Sequence, residues 1–75
     1  MAILKLVNKT PTLYFYRQYQ KSNKRWVIMA RVKNKTCVYL NCFSLTQATQ
    51  KAGKCNRDFL QYGWEMFDEL KPILL

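Results

Sequence analysis

The chain has 75 residues, of which 49% are hydrophobic, and 13 Lys/Arg against 4 Asp/Glu give it a formal net charge of +9. A chain of this length has room for one core, so residues 1–75 are predicted to form a single domain, and the apolar content excludes a disordered segment. No run approaches the ~20 apolar residues of a membrane-spanning helix, and "MAILKLV" is too short for a secretory leader. We therefore expect an intracellular protein of the cytoplasm or nucleoid, without a membrane partner.

The cations are unevenly distributed along the chain. Residues 1–57 contain twelve Lys/Arg and no acidic residue, whereas all four acids lie within residues 58–75. A positive field of this density attracts polyanions, with nucleic acid as the first candidate and an anionic membrane surface as the second. An ordinary Lys-rich surface without a specific partner is the alternative.

Catalytic and metal chemistry find no support in the sequence. The chain has no His, its acids lie in one terminal stretch, and Cys37, Cys42 and Cys55 form no C-x-x-C pair. Neither an acid/base pair nor a set of four zinc ligands can be proposed from these residues. We expect no enzyme activity, no cofactor and three reduced thiols.

The first half of the chain has the pattern of an antiparallel meander. Residues 1–11 are predicted to be a short extended N-terminal arm that ends at Pro11. Runs rich in aromatic and β-branched residues follow at 12–20, 25–32 and 36–43, separated by polar turns at 21–24 and 33–35. Residues 12–43 are therefore predicted to be a three-stranded sheet.

After Phe43 the apolar period changes to that of a helix. Ser44 and Gln47 form a capping box, and apolar residues then recur at steps of three and four at Leu45, Ala48, Ala52, Cys55 and Phe59. This pattern predicts one amphipathic helix within residues 44–63, with Gly63 as its C-terminal cap. The fold class is α+β, with the sheet packed on this helix.

Residues 64–75 are predicted to be a short helix or tail. Trp64, Phe67 and Leu70 have helical spacing, and Pro72 is expected to end the pattern. These three apolar residues either close the edge of the core or form an exposed patch for a partner or for self-association.

Alternation assigns side chains to the two faces of the sheet. One alternating set is the core stripe, which we predict to face the helix: Trp26, Ile28, Ala30, Val32, Val38 and Leu40. The interleaved set, which mixes cationic, aromatic and apolar residues, is then predicted to face away from the helix.

Several residues in this arrangement resemble a known family. They are Tyr16-Arg17, then Trp26 with Arg31 five positions later, then "VYLNCF" leading into an alanine-containing helix. This pattern resembles the plant APETALA2/ethylene-response-factor DNA-binding domain and is similar to the amino-terminal arm-binding domains of tyrosine-recombinase integrases, over residues 14–57. Gln18 and Asn41 stand where that family has glycine, and the helix start lacks the family's acidic residues.

The resemblance implies a small stand-alone regulatory protein that inserts the free face of its sheet into the major groove of duplex DNA. The contact residues implied on the strands are Arg17, Tyr19, Lys21, Arg25, Val27, Met29, Arg31, Cys37 and Tyr39. Guanidinium groups can clamp phosphate or guanine bidentately, and the turn lysines are predicted to contact phosphates. Those lysines are Lys21, Lys24, Lys33 and Lys35.

Two other partners remain open at this stage. RNA would use the same face, with Tyr19 and Tyr39 as stacking platforms. An acidic protein would dock on the basic face, which would make the chain an interaction module or inhibitor. A further alternative is that the N-terminal arm or residues 64–75 cover the apolar centre of this face at Val27, Met29 and Cys37.

Overall fold

The computed structural model describes residues 11–75, which form a three-stranded antiparallel sheet packed against one long helix. The strands are β1 (Tyr14–Gln20), β2 (Arg25–Val32) and β3 (Lys35–Cys42), in the spatial order β1-β2-β3. Helix α1 (Leu45–Tyr62) is followed by a 3₁₀ segment (Gly63–Leu70) and a short helix α2 (Lys71–Leu74). The predicted α+β fold is confirmed, while the predicted N-terminal arm lies outside the described residues except for Pro11.

Two tight turns join the strands, and each contains a lysine with an unusual backbone angle. Residues 21–24 connect Gln20 to Arg25, and Lys33 and Asn34 alone connect the paired Val32 and Lys35. Lys24 has φ 52° and Lys33 has φ 54°. The left-handed region costs an L-residue about 1–2 kcal/mol, so both turns hold a lysine in a conformation that its side chain does not favour.

Helix α1 begins and ends as its sequence predicts. The Ser44 hydroxyl accepts a hydrogen bond from the Gln47 backbone N–H at 3.1 Å, and Gln47 Oε1 accepts one from the Phe43 N–H at 2.7 Å. At the other end Gly63 has φ 70°, and its N–H donates to the Phe59 carbonyl. These contacts satisfy backbone groups that a helix end otherwise leaves unpaired.

An aromatic cluster forms the centre of the core between the sheet and the helical elements. The Phe15 ring lies 4.9 Å from Phe67 and 5.3 Å from Tyr39, centroid to centroid, and Phe59 meets Trp64 edge-on at 5.7 Å. Tilted and edge-on pairs at these distances add to the free energy gained from burial alone. The cluster therefore fixes which side of the sheet α1 and the C-terminal segment cover.

Asn56 of α1 ties the helix to the edge strand β1. Its Oδ1 accepts from the Phe15 N–H at 2.8 Å, and its Nδ2 donates to the Phe15 carbonyl at 2.9 Å. One side-chain amide thus satisfies both backbone groups of an edge-strand residue, as a further strand would. The contact sets the position of α1 along the sheet.

The C-terminal segment completes the core. Trp64, Phe67 and Leu70 are buried, and the Trp64 indole N–H donates to the Pro11 carbonyl at 2.9 Å. The interpretation that they close the core is confirmed, and their burial leaves none of them in an exposed self-association patch. The expectation that Pro72 ends the pattern is wrong, because Pro72 lies in the first turn of α2, where its missing N–H has no helical partner to lose.

Removing the Asn56 amide should destabilise the fold. We expect Asn56→Ala to lower the free energy of unfolding by about 1–3 kcal/mol, because both Phe15 backbone groups lose their partner in a partly buried site. Gln61→Ala, which removes an exposed amide from the same helix, is the matched control. Urea denaturation of the two variants measures the difference, and equal stabilities would show that the Asn56 contact does not hold α1 on β1.

Candidate nucleic-acid interface

The surface of interest is the side of the sheet opposite α1, called the open face here. Strand pairing arranges its side chains in four cross-strand rows. From one end of the sheet to the other, the rows are Gln20–Arg25, Gln18–Val27–Asn41, Tyr16–Met29–Val38 and Tyr14–Arg31–Thr36. Within residues 11–75, the buried residues of α1 and of the C-terminal segment pack on the other side of the sheet.

Strand β1 has the opposite orientation to the one predicted. Arg17 donates to the Thr49 hydroxyl of α1 at 3.1 Å, and the Tyr19 ring meets Trp26 at 5.4 Å, so both residues are on the helix side. The prediction that they lie on the open face is wrong. The sequence did contain a signal for this orientation. Leu13 and Phe15 are apolar and buried in the core, and alternation along the strand places Arg17 and Tyr19 on the same side as these two residues.

Strand β3 departs from prediction because it contains a β-bulge. Ile28 pairs with Leu40 whereas its neighbour Met29 pairs with Val38, so Tyr39 is an extra residue in β3. The bulge turns Tyr39, like Cys37, toward the core, and leaves Val38 on the open face. The predicted sides of Cys37, Tyr39 and Val38 are therefore wrong.

The central strand β2 has the predicted orientation. Arg25 and Arg31 are exposed on the open face, and Met29 is half-buried there. Val27 lies in the same alternating set but has 0% exposure, so the prediction that it contacts a partner is wrong.

The turn lysines lie at the two ends of the sheet. Lys21, Lys24 and Lys33 are exposed within the connecting turns, as predicted. Lys35 is also exposed, but its pairing with Val32 assigns it to the helix side of the sheet. The phosphate contacts predicted for all four lysines stay predictions.

The C-terminal segment, one of the two segments that could cover the open face, packs elsewhere. Residues 64–75 pack on the helix side, where Trp64, Phe67, Leu70 and Leu74 join the core. The prediction that this tail covers the open face is therefore wrong. Cover by the N-terminal arm lies outside the described residues.

Arg31 is held by its own turn. Its Nε donates to the Lys33 carbonyl at 2.8 Å. The bond uses one of the five guanidinium donors and restrains the side chain, while the two terminal nitrogens remain available. A restrained guanidinium loses less conformational entropy when it binds a phosphate or a base edge.

Sequence reasoning missed the aromatic and amide residues of the open face. Tyr14 and Tyr16 are stacked on one another with centroids 6.0 Å apart and an interplanar angle of 19°. Gln18 and Asn41 lie on either side of Val27 and are exposed. The even-numbered residues of β1 are Tyr, Tyr, Gln and Gln in chain order, and none of them is purely apolar. This pattern is the signal that could have assigned them to the open face.

Charge is divided between the two layers of the fold. Residues 12–43, which contain the sheet and its turns, have seven Lys/Arg and no acid, whereas residues 44–75 have four of each. In the helical layer Lys54 pairs with Asp58 at 3.1 Å and Lys71 with Asp68 at 2.9 Å. The positive field of the described residues therefore originates in the sheet and its turns.

Three titratable groups near the core have a pKa that burial shifts. Burial raises the pKa of the Cys37 and Cys55 thiols above their ordinary value. Burial, with a smaller contribution from Glu69, raises the pKa of the Tyr39 phenol. All three groups are thus held neutral at physiological pH.

Two further features of residues 11–75 bear on function. Nowhere in this part of the chain do three or more His, Cys, Asp or Glu side chains gather in a way that could hold a metal ion. None of its helices has the length and apolarity needed to cross a membrane.

Comparison with known proteins gives no match. Neither a family model, nor a curated protein, nor a solved structure matches the chain. The APETALA2-like resemblance thus stays a prediction that rests on the residues quoted for it.

Proposed function

We propose that the protein binds nucleic acid through the open face, with duplex DNA as the target and the major groove as the docking site. The observation that carries the proposal is the separation of charge: the sheet and its turns contain seven cations and no acid, while the helical layer is balanced. Five of the seven cations lie on the open face or in the turns at its ends, where they attract phosphate backbones toward that face.

The dimensions of the sheet suit a groove. Three strands spaced about 4.8 Å apart measure about 10 Å between the outer strand axes, against about 12 Å for the major groove of B-DNA. Arg25 and Arg31 belong to the outermost rows, about 20 Å apart along an extended strand, which corresponds to roughly six base pairs. The two guanidinium groups would thus contact the DNA at the two ends of this six-base-pair segment.

The residues between the two arginines offer base-edge chemistry. Amides such as Gln18 and Asn41 can donate to and accept from adenine, and apolar side chains such as Met29 and Val38 can contact the thymine methyl group. Lys24 and Lys33 extend from the turns at opposite ends of the sheet, where groove-flanking phosphates would pass. Phosphate contacts of this kind orient a protein without reading sequence.

The arginine pair supplies the test of the proposal. We expect Arg25→Ala/Arg31→Ala to weaken binding to a short duplex at least tenfold, since each phosphate or guanine contact contributes about 1–3 kcal/mol. The slope of log K against log salt should also become shallower by about 2. Fluorescence anisotropy at several salt concentrations measures both quantities.

Lys51→Ala/Arg57→Ala is the matched control, because it removes the same charge from α1. It should retain most of the affinity, with only a small loss from the reduced net charge. Equal losses in the two double variants would show that the open face does not dock. Absence of any salt-dependent binding by the unmodified protein would rule out the proposed function.

The stacked Tyr14–Tyr16 pair favours a second candidate, single-stranded RNA. The Tyr14 ring is exposed and the Tyr16 ring beside it is half-buried, and two adjacent rings on a sheet are a platform on which successive bases can stack. If RNA is the target, Tyr14→Ala/Tyr16→Ala should weaken RNA binding more than Arg25→Ala/Arg31→Ala does, because stacking contributes about 1–3 kcal/mol per base.

If the protein docks on duplex DNA, the arginine double variant should lose more duplex affinity than the tyrosine double variant. The Tyr14→Phe/Tyr16→Phe variant keeps both rings and controls for the hydroxyl groups. Competition between duplex DNA and single-stranded RNA for the unmodified protein then decides between the candidates. Tighter binding of the single strand, together with the larger tyrosine effect, would replace the duplex proposal.

A further inference from the structure

Phe43 is an aromatic residue with almost no contacts in the fold. It follows β3 directly, precedes the helix cap Ser44, and is 95% exposed. Burial of a phenylalanine side chain normally stabilises a protein, and in Phe43 this gain is forgone. The ring is thus left in solvent although the strand end beside it is buried.

The position of Phe43 is one at which a helix start often uses an apolar residue. The residue before an N-cap commonly packs against the fourth residue of the helix, here Ala48, as a hydrophobic staple. Ala48 is fully buried by other residues of the core, and the 95% exposure of Phe43 shows that no staple forms. The ring is thus presented to solvent and contributes little to packing.

The backbone that carries this ring is fixed on both sides. The Phe43 N–H donates to Gln47 Oε1 at 2.7 Å, Cys42 before it is buried at the end of β3, and Ser44 after it caps α1. A ring on such a backbone loses little conformational entropy when it contacts a partner.

The surroundings of Phe43 belong to the basic end of the open face. One step beyond the Trp26–Cys42 pair, the register of the sheet sets Phe43 opposite Arg25. A cleft of about 270 Å³ lies here, and seven residues line it: Asn23, Lys24, Arg25, Trp26, Asn41, Cys42 and Phe43. The lining thus combines two aromatic residues, two cations, two amides and one thiol, with no acidic residue, and Phe43 is the aromatic residue whose ring is exposed.

We propose that this cleft binds one unstacked nucleobase, which stacks on the Phe43 ring. Lys24 and Arg25 bind the phosphate of the same nucleotide, and the amides of Asn23 and Asn41 face the edge of the base. The inference rests on the proposed nucleic-acid binding and adds a preference to it: a duplex with an unpaired base is bound more tightly than a fully paired one. Aromatic rings accept any base in this way, because every base has a π-face.

The test compares two short duplexes that differ by a single unpaired adenine at the centre of one strand. The unmodified protein should bind the duplex with the unpaired base about tenfold more tightly, as expected for one stacked base. Phe43→Ala should remove this preference and leave the affinity for the fully paired duplex within about twofold. Phe43→Trp should retain the preference, because it keeps an aromatic face.

Leu60→Ala is the control for the loss of an exposed apolar side chain. Leu60 is 83% exposed on α1, so its removal should leave both affinities unchanged. Thermal melting should also be unchanged in Phe43→Ala, because the ring packs against little. If that variant does melt lower, Phe43→Leu provides a second test, since leucine keeps the apolar contact but cannot stack as a ring.

The outcomes separate this inference from the function on which it rests. Salt-dependent binding of the paired duplex without a preference for the unpaired base overturns the base site alone. A preference that survives in Phe43→Ala overturns it as well. Failure to bind either duplex overturns both the base site and the proposed function.

Discussion

The fold depends on the packing of Phe15 against Phe67 and Tyr39. This contact joins β1, β3 and the C-terminal segment in one aromatic cluster, with centroid distances from 4.9 to 5.8 Å. Because side chains alternate along a strand, burying Phe15 assigns every other residue of β1 to a side. The Asn56 amide then holds α1 against the same residue. The composition of the open face is thus a consequence of how the other face packs.

Local sequence signals predicted the elements well because their causes are local. The limits of α1 follow from Ser44, Gln47 and Gly63, and β2 lies at the predicted residues because "RWVIMARV" is bounded by polar turns. The sides of β1 and β3 were predicted less well because their causes are not local. Arg17 looked like an outward cation, but the packing of Phe15 turns it toward α1. The bulge at Tyr39 shifts the alternation of β3, and no residue near it signals an insertion.

These corrections change the character of the candidate interface and leave its location unchanged. The arginines that remain on the open face, Arg25 and Arg31, belong to its end rows, and the two central rows consist of one tyrosine, two amides and three apolar side chains. Two of the turn lysines, Lys24 and Lys33, have left-handed backbone angles, which cost stability that a glycine would not lose. Such strain often occurs at functional sites. The cations, the restrained Arg31 and the strained Lys24 and Lys33 thus lie in the sheet and its turns, and the exposed ring of Phe43 borders them.

The most direct test of the open face is a titration of isotope-labelled protein with a short DNA duplex, followed by NMR through side-chain signals. The side-chain amides of Gln18 and Asn41 and the methyl group of Met29 report on the open face, whereas the amide of Asn56 and the methyl group of Thr49 report on the helix side. The account predicts large shifts for the first group and small shifts for the second. Shifts confined to residues 44–75 would contradict it, because the duplex would then be bound by the layer whose charges are balanced.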